Sequence, residues 1–235
     1  MDDETPGNPT GANLEEIDAI TEGVPWTPQR VGYLLSQLVR QYHTPEVLEV
    51  ACGYGKITPY LAHAAATRDG LVRATDHKRR IWEGKSAVDR VEEAGFGDVC
   101  EFAFGEDARW YTLDLISDRP GEWINLVYLD ISHTIEIDAF VALAVWTHLS
   151  PGGIVVFDDL DWTPREHGTE TDERRTNRPE VKQMELLFDY LCELPDVSAN
   201  RTWGAEEMHW RWGFIQKARD SEADGPVLSQ VLDDF

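Results

Sequence analysis

The chain has 235 residues and a formal net charge of −23, because 44 acidic side chains outnumber 21 Lys and Arg side chains. A surface this acidic repels phosphate backbones and anionic lipid headgroups, so we expect no nucleic-acid partner and no membrane partner. No apolar run approaches the roughly 20 residues of a membrane span, and the acidic N-terminus is unlike a secretory signal. The sequence predicts a cytoplasmic globular protein with one folded domain.

The N-terminal part changes character near residue 25. Residues 1–25 are predicted to form an acidic flexible arm or cap, with a short helix over 14–20. Apolar residues at helical spacing follow over 31–39, and residues 47–50 are typical of a short buried strand. We therefore expect the folded domain to occupy residues 26–218.

Strands and helices then alternate, which is the pattern of a parallel sheet with helices on its faces. The predicted elements are a helix over 57–66, a strand over 71–75, a helix over 81–94, a strand over 99–104, a helix over 108–116, a strand over 124–129, a helix over 135–149 and a strand over 154–157. A doubly wound α/β fold is therefore expected.

The C-terminal part interrupts this alternation. Residues 161–179 are polar and punctuated by proline, which predicts a lid or substrate loop. A helix is predicted over 181–194 and a closing pair of strands within 203–217. Residues 219–235 are predicted to be an acidic tail.

A glycine turn follows the first predicted strand. Gly53 and Gly55 permit positive φ and a close approach of a ligand to the main chain, and exposed amides at a helix start suit an anionic group. Glycines at such turns are also common for purely steric reasons. Asp76, followed by His77, ends the second predicted strand, where a carboxylate accepts hydrogen bonds from ribose hydroxyls. Together these features predict adenosine binding.

Further residues favour S-adenosylmethionine (SAM) over a nicotinamide dinucleotide. Glu49 lies inside the first strand, and Thr58 stands where a dinucleotide motif has its third glycine. Asp107, after the third strand, is placed to reach an adenine amino group. A nicotinamide-dependent dehydrogenase on a similar fold remains the alternative from another enzyme class.

Acidic residues also follow the fourth and fifth predicted strands. Asp130 ends one strand, with His133 three residues on, and Asp158 and Asp159 end the next. Neighbouring strands lie about 4.8 Å apart, and three carboxylates at adjoining tips repel one another unless a cation or protons neutralise them. The pattern predicts Mg²⁺ or another divalent cation on the three aspartates, with His133 as general base. Helix capping or cofactor contact by the aspartates, and a purely structural His133, are the alternatives.

Two stretches resemble known families. The run Glu49-Val-Ala-Cys-Gly-Tyr-Gly resembles the first motif of class I SAM-dependent methyltransferases, with Ala51 in place of the usual first glycine. Asp-Ile-Ser-His-Thr, followed by Pro-Gly-Gly and Phe-Asp-Asp, resembles the macrocin and cephalosporin-cluster branch of metal-dependent O-methyltransferases. Catechol O-methyltransferases share that metal geometry. The chain departs from the macrocin and cephalosporin-cluster branch at two places. Val141 stands where that branch commonly has an acid, and the loop 161–179 has no close counterpart in it.

The resemblance implies a mostly parallel seven-stranded sheet with an antiparallel C-terminal strand. It implies that Asp76 binds the ribose of the cofactor and that Asp107 and Ala108 bind the adenine. The methionine part would be bound by the glycine turn and the strand before it, namely by Glu49, Ala51, Gly53, Tyr54 and Gly55. We also expect His77 and Asp130 to contact the cofactor.

The implied function is Mg²⁺-dependent O-methylation of a hydroxyl on a small molecule of the natural-product type, such as one from antibiotic biosynthesis. Metal-independent N- or O-methylation is the nearest alternative, and a non-catalytic cofactor-binding module is a third. A homo-oligomer is also left open.

Overall fold

The computed structural model describes residues 11–166, 178, 180–204, 210–219, 225–233 and 235. The helices are α1 (Leu14–Ile20), α2 (Gln29–Val39), α3 (Thr58–Ala66), α4 (Ala87–Glu93), α5 (Ala108–Asp118), α6 (Ile135–Trp146), α7 (Gln183–Cys192) and α8 (Leu228–Asp233). The strands are β1 (Glu46–Val50), β2 (Leu71–Asp76), β3 (Cys100–Phe104), β4 (Ile124–Leu129), β5 (Leu149–Phe157), β6 (Val197–Trp203) and β7 (Trp212–Lys217). None of these helices is long and apolar enough to cross a membrane.

Within the described residues the strands form one seven-stranded sheet in the order β3-β2-β1-β4-β5-β7-β6. The strands β1 to β5 are paired in parallel, whereas β7 runs antiparallel to both β5 and β6. The predicted fold class, with its antiparallel C-terminal strand, is confirmed. The strand order reverses between β1 and β4, and ligands of open α/β sheets bind at the carboxyl ends of the strands beside such a reversal.

Alternate residues of the central strands face opposite sides of the sheet and supply two cores. Leu126 and Tyr128 of β4 pack in a core with α2 and α3, whereas Val127 and Leu129 pack with α6 and α7. Both layers are therefore apolar on the inside, which fixes the register of β4 and holds its carboxyl end in place.

The N-terminal helix packs against the domain. The Asn13 side chain accepts hydrogen bonds from the amides of Glu15 and Glu16, and the Glu16 carboxylate accepts one from the Asn13 amide, which completes a capping box. Ile17 is fully buried in the first core. The helix predicted over 14–20 is confirmed. Of the two descriptions given for residues 1–25, a flexible arm or a cap, the packing of α1 favours the cap.

The C-terminal tail is also partly folded. Leu228 of α8 is fully buried, and its amide donates a hydrogen bond of 3.2 Å to the Gln216 side chain on β7. Within the predicted acidic tail over 219–235, α8 is therefore folded against the domain. Its apolar residues cover one side of the first core.

Several element boundaries differ from the predictions. The helix predicted over 81–94 begins only at Ala87, because Ser86 forms a capping box with Asp89 and residues 82–85 form a tight turn with Gly84 at φ 79°. The strand β5 begins at Leu149 rather than at residue 154. Its pairing with β4 shifts register at this point, which accommodates Pro151 inside the strand.

The closing strands also start earlier than expected. The strand β6 begins at Val197, where the sequence is largely polar because most of the strand is exposed or half-buried at the edge of the sheet. Apolar alternation, on which the prediction relied, is therefore weak there.

Candidate active site

The glycine turn after β1 is pinned against the end of β2. The amides of Ala51 and Cys52 donate to the Thr75 carbonyl at 2.8 and 2.9 Å. The Gly53 amide donates to the Asp76 carboxylate at 3.0 Å. Gly55 has φ 80°, and a Cβ atom there would lie 2.4 Å from the Ala87 Cα, so α4 packs directly against this glycine.

Ala51 adopts φ 72°, a left-handed conformation that glycine tolerates better than alanine. The first glycine of the family motif would stand here, so this chain keeps the backbone shape and changes the residue. The strain is on the order of 1–2 kcal/mol. The Ala51 side chain lies where the two larger cavities of the site adjoin, and it lines both of them.

Asp76 and its neighbours border one of these cavities, of about 390 Å³, which we call the Asp107 cavity. The Asp76 carboxylate is buried and lies 2.7 Å from the His77 Nδ1 atom. Asp107 accepts a hydrogen bond from the Arg109 amide at 2.9 Å and pairs with the Arg109 guanidinium, which lowers the pKa of Asp107. Asp76, His77, Asp107 and Ala108 are thus brought together, although the Asp107 carboxylate already has a protein partner.

Glu49 is buried beneath the glycine turn with 1% of its surface exposed. Burial raises its pKa to about 8. Its Oε2 atom has no hydrogen-bond partner among the described residues. Glu49 lines a narrow cleft together with Tyr54 and Asp130, so this carboxyl group is placed to accept a hydrogen bond from a ligand.

Two of the predicted aspartates converge on His133. The His133 Nε2 atom lies 3.7 Å from Asp130 Oδ1 and 3.5 Å from Asp159 Oδ2. One ligand atom from each of the three residues lies within 4.8 Å of the others. Burial and the charge of Asp158 raise the pKa of Asp159 to about 8, and the same causes raise that of Asp130. We call these three residues the Asp130 cluster.

Asp158 is oriented differently from its neighbour. The Tyr128 hydroxyl donates to its Oδ2 atom, and the Asp159 amide donates to its Oδ1 atom at 2.8 Å. Asp158 borders the same cavity, but both of its oxygens accept protein hydrogen bonds. The sequence predicted Asp158 as the third residue of the group with Asp130 and Asp159. In the structure His133, and not Asp158, supplies the third closely spaced ligand atom.

Asp138 supports the loop that carries His133, and the sequence analysis missed it. Its carboxylate accepts hydrogen bonds from Ser132 Oγ at 2.8 Å and from the Thr134 amide at 3.0 Å. It is fully buried, which raises its pKa to about 6. The available signal was an acid in the first turn of α6, five residues after His133.

A cavity of about 360 Å³ lies over the Asp130 cluster, and we call it the cluster cavity. Of the six described non-glycine residues with positive φ, four line this cavity: Trp26, Ala51, His133 and Asp159. Backbone strain of this kind is concentrated at functional sites.

Aromatic side chains form the walls of the cluster cavity. Trp162 packs against the His133 ring in a tilted arrangement with 5.0 Å between centroids, and Trp26, which is 54% exposed, packs in the same way against Tyr54 at 4.6 Å. Trp210 lines the cavity as well. Residues 167–177 and 179 of the predicted lid lie outside the described residues.

Asp161 takes no part in the Asp130 cluster. Its Oδ1 atom lies 2.6 Å from Lys182 Nζ and 3.2 Å from an Arg211 nitrogen. It is therefore a loop acid held in a local ion-pair network.

Comparisons with known proteins concern the domain and the fold. Residues 48–160 match a family model described as a methyltransferase domain. The fold is similar to that of the O-methyltransferase TomG from Streptomyces achromogenes, involved in tomaymycin synthesis and solved in complex with SAM. The identity is 21%, the TM-score is 0.62, and the alignment covers 87% of this chain and 89% of that one.

The fold is also similar to that of an O-methyltransferase from Bacillus cereus in complex with S-adenosylhomocysteine (SAH). Here the identity is 20%, the TM-score is 0.60, and the coverage is 87% of this chain and 90% of that one. A sequence comparison with curated proteins gives no match. At these identities the structural similarity shows the fold, which is that of the class I methyltransferases. Residues 48–160 match the methyltransferase domain of the family model.

Proposed function

We propose that the protein is a SAM-dependent O-methyltransferase that acts on a hydroxyl group of a small molecule of the natural-product type. The observation that carries the proposal is the convergence of Asp130, His133 and Asp159 in one cavity with the glycine turn. The two structural neighbours described above are O-methyltransferases with SAM or SAH bound, which supports the choice of cofactor and of oxygen as the acceptor atom.

In this proposal the cofactor lies across the carboxyl ends of β1 and β2. The Asp76 carboxylate accepts hydrogen bonds from the ribose hydroxyls, and Asp107 and Ala108 border the adenine. Glu49, buried with an unpartnered oxygen, accepts a hydrogen bond from the methionine ammonium group. Gly53 leaves room for the ligand, because the nearest atom to a Cβ built there is 3.8 Å away.

The reaction is an in-line displacement at the methyl carbon of the sulfonium. The acceptor oxygen forms a bond to that carbon, and the carbon–sulfur bond breaks with its electron pair left on sulfur, which yields SAH. The hydroxyl proton goes to His133 Nε2. Asp130 and Asp159, within 3.7 Å of that nitrogen, stabilise the imidazolium that forms.

The donor set of the Asp130 cluster also fits a divalent cation. Of the three ligand atoms that lie within 4.8 Å of one another, the two carboxylate oxygens suit Mg²⁺, and burial together with repulsion from neighbouring aspartates raises the pKa of both groups. Asp130 and Asp159 would hold Mg²⁺ or another divalent cation, with Asp158 beside them. A cation bound there would lower the pKa of the acceptor hydroxyl.

Calorimetry with SAH and transfer of a labelled methyl group from SAM to a panel of phenols and hydroxylated natural products test the proposal. We expect SAH to bind, and Asp159→Ala to reduce methyl transfer by about 10²-fold. Asp161→Ala, on the same loop but outside the cluster, is the matched control and should retain activity. Chelation followed by Mg²⁺ addition should abolish and restore transfer.

Other outcomes separate the alternatives. Transfer that survives chelation but not His133→Ala identifies the metal-independent methyltransferase. Binding of NADH without binding of SAH identifies the dehydrogenase and overturns the proposal.

A further inference from the structure

Arg80 lies between the two larger cavities of the site. It follows Asp76 by four residues, and it lines both the Asp107 cavity and the cluster cavity. Only 28% of its side-chain surface is exposed. A long cationic side chain is therefore held where the ribose side of the proposed cofactor site adjoins the methyl-transfer side.

The Arg80 guanidinium has few protein partners. Its Nε atom lies 3.4 Å from Asp76 Oδ2 and makes no hydrogen bond within the described part of the chain. Asp76 meanwhile accepts a shorter bond, of 3.0 Å, from the Gly53 amide. The guanidinium carbon lies 5.6 Å from the centre of the Trp26 ring, which supports one face of the group and leaves its edge open.

The neighbouring arginine shows the contrast. Arg79 donates hydrogen bonds to Ser86 and to Asp89, both at 2.9 Å. A guanidinium carries five N–H donors, and buried donors without acceptors cost free energy. The buried Arg80 Nε atom, unlike that of Arg79, has no hydrogen-bond acceptor among the described residues, although Asp76 lies close enough to form an ion pair with it.

The charges around Arg80 define that acceptor. Acidic side chains border each cavity. Asp76 borders both, Glu106 and Asp107 border the Asp107 cavity, and Asp130, Asp158 and Asp159 border the cluster cavity. Among the described residues that line either cavity, Arg80 is the one Lys or Arg side chain. The ionised acids among them attract the sulfonium and ammonium groups of a cofactor and repel a carboxylate, whereas Arg80 attracts a carboxylate. A guanidinium edge pairs with a carboxylate through two parallel hydrogen bonds.

We propose that Arg80 binds a ligand carboxylate at the boundary of the two cavities. The inference rests on the proposed function, because the carboxylate belongs either to the amino-acid part of SAM or to the methyl acceptor. Trp26 positions the guanidinium through its ring, and its own positive φ of 81° holds that ring over the glycine turn. Arg80 is thereby a binding residue in addition to Glu49 and Asp76.

Calorimetry on the whole chain tests the cofactor as the source, with SAH and 5′-methylthioadenosine as probes. Methylthioadenosine keeps the adenosine and the sulfur but lacks the carboxylate. If the cofactor supplies the carboxylate, Arg80→Gln weakens SAH binding by about 10-fold or more and leaves methylthioadenosine binding unchanged. Arg79→Gln is the matched control and should bind both probes as the wild type does. Arg80→Lys, which keeps the charge but not the two-point geometry, should restore part of the SAH affinity.

A second arm tests the acceptor as the source. With SAH bound, 3,4-dihydroxybenzoate and catechol are compared as probes that differ by one carboxylate. If the acceptor supplies the carboxylate, the wild type prefers the benzoate, and Arg80→Gln loses the preference while its SAH affinity stays unchanged. Thermal unfolding of each variant checks that the fold is retained.

The inference is overturned if SAH and methylthioadenosine weaken equally in Arg80→Gln. It is also overturned if SAH affinity is unchanged and the benzoate binds the wild type no better than the variant. In both cases SAH binding by the wild type would leave the proposed function standing. A wild type that binds no SAH overturns the proposed function and this inference together.

Discussion

The His133 Nε2 atom lies 3.5 Å from Asp159 Oδ2, although one residue follows β4 and the other follows β5. Parallel pairing of the two strands aligns Leu129 with Phe157, so the loops after them leave the sheet side by side. Both residues then adopt φ 54°, which turns their backbones back toward each other. The chemistry that we propose depends on this meeting of two strained loops.

Asp138 should act on turnover through the position of His133. The Asp138 carboxylate accepts hydrogen bonds from the Ser132 hydroxyl and the Thr134 amide, which lie on either side of His133. Asp138→Ala removes both bonds, so the loop that carries His133 is no longer held in position. We expect kcat to fall by about 10-fold or more, with a stability loss of about 1–3 kcal/mol. Methyl-transfer kinetics and urea unfolding measure these two effects, and calorimetry measures the affinity for SAH.

SAH affinity should change little in Asp138→Ala, because Asp138 lines neither cavity. Glu136→Gln, an exposed acid in the same helical turn, is the control. An unchanged kcat in a folded Asp138→Ala variant would show that the loop needs no such support.

Ala51→Gly should preserve the site and not destabilise the protein. Glycine relieves a left-handed strain of about 1–2 kcal/mol but increases the entropy of the unfolded chain by about 0.4–1 kcal/mol. The net expectation is a gain between zero and about 1.6 kcal/mol in the free energy of unfolding, measured by urea denaturation. A clear loss of stability, or a loss of SAH binding, would mean that the Ala51 methyl group makes contacts that outweigh the strain.

Gly55→Ala should disrupt the glycine turn, and Gly84→Ala provides a control with the same backbone angle. The two glycines have φ 80° and 79°, but a Cβ at Gly84 meets no atom within 4 Å, whereas one at Gly55 lies 2.4 Å from Ala87. Gly84→Ala should cost about 1–2 kcal/mol from strain alone. Gly55→Ala should cost about 1–3 kcal/mol more and weaken SAH binding. Equal losses in the two variants would refute the close packing of α4 on the turn.

The fold was largely accessible to sequence reasoning because its central strands are short and apolar and alternate with segments of helical length. The turn at residues 82–85 was not, because Ile81 and Trp82 continue the helical spacing of α4 while Ser86 and Gly84 override it. The sequence left open whether residues 1–25 form an arm or a cap, because a short acidic helix reveals little of the single residue, Ile17, that it buries.

The candidate site was predictable in location but not in detail. Acids after adjacent parallel strands must meet at one edge of the sheet, which placed Asp130 and Asp159 correctly beside each other. Sequence spacing cannot assign roles to two consecutive acids, because neighbouring residues of an extended chain point to opposite sides. Asp158 accordingly bonds to Tyr128, and His133 lies in the cluster.

His63 should make stability depend on pH. It is buried beside Arg40, which donates to its Nδ1 atom at 2.9 Å, and burial together with that charge lowers its pKa from 6.5 to about 4. Between these values the unfolded chain binds a proton that the folded chain does not, so the free energy of unfolding falls as pH falls from 6.5 toward 4. The lowered pKa of His63 reduces the free energy of unfolding by about 2 kcal/mol at pH 5 and by about 3 kcal/mol once the pH is well below 4.

Urea denaturation at pH 7 and pH 5 measures this effect. His63→Gln does not titrate and keeps an acceptor for Arg40, so its stability should fall less than that of the wild type over the same interval. Equal losses in the two proteins would assign the pH dependence to other groups.

A crystal structure of the protein with SAH and Mg²⁺ tests the central claim most directly. We predict the ribose on Asp76, the methionine part along the glycine turn, and the sulfur atom facing Asp130, His133 and Asp159, with the cation on the two aspartates. Binding of SAH outside this cleft, or separation of the three side chains once SAH is bound, would contradict the account.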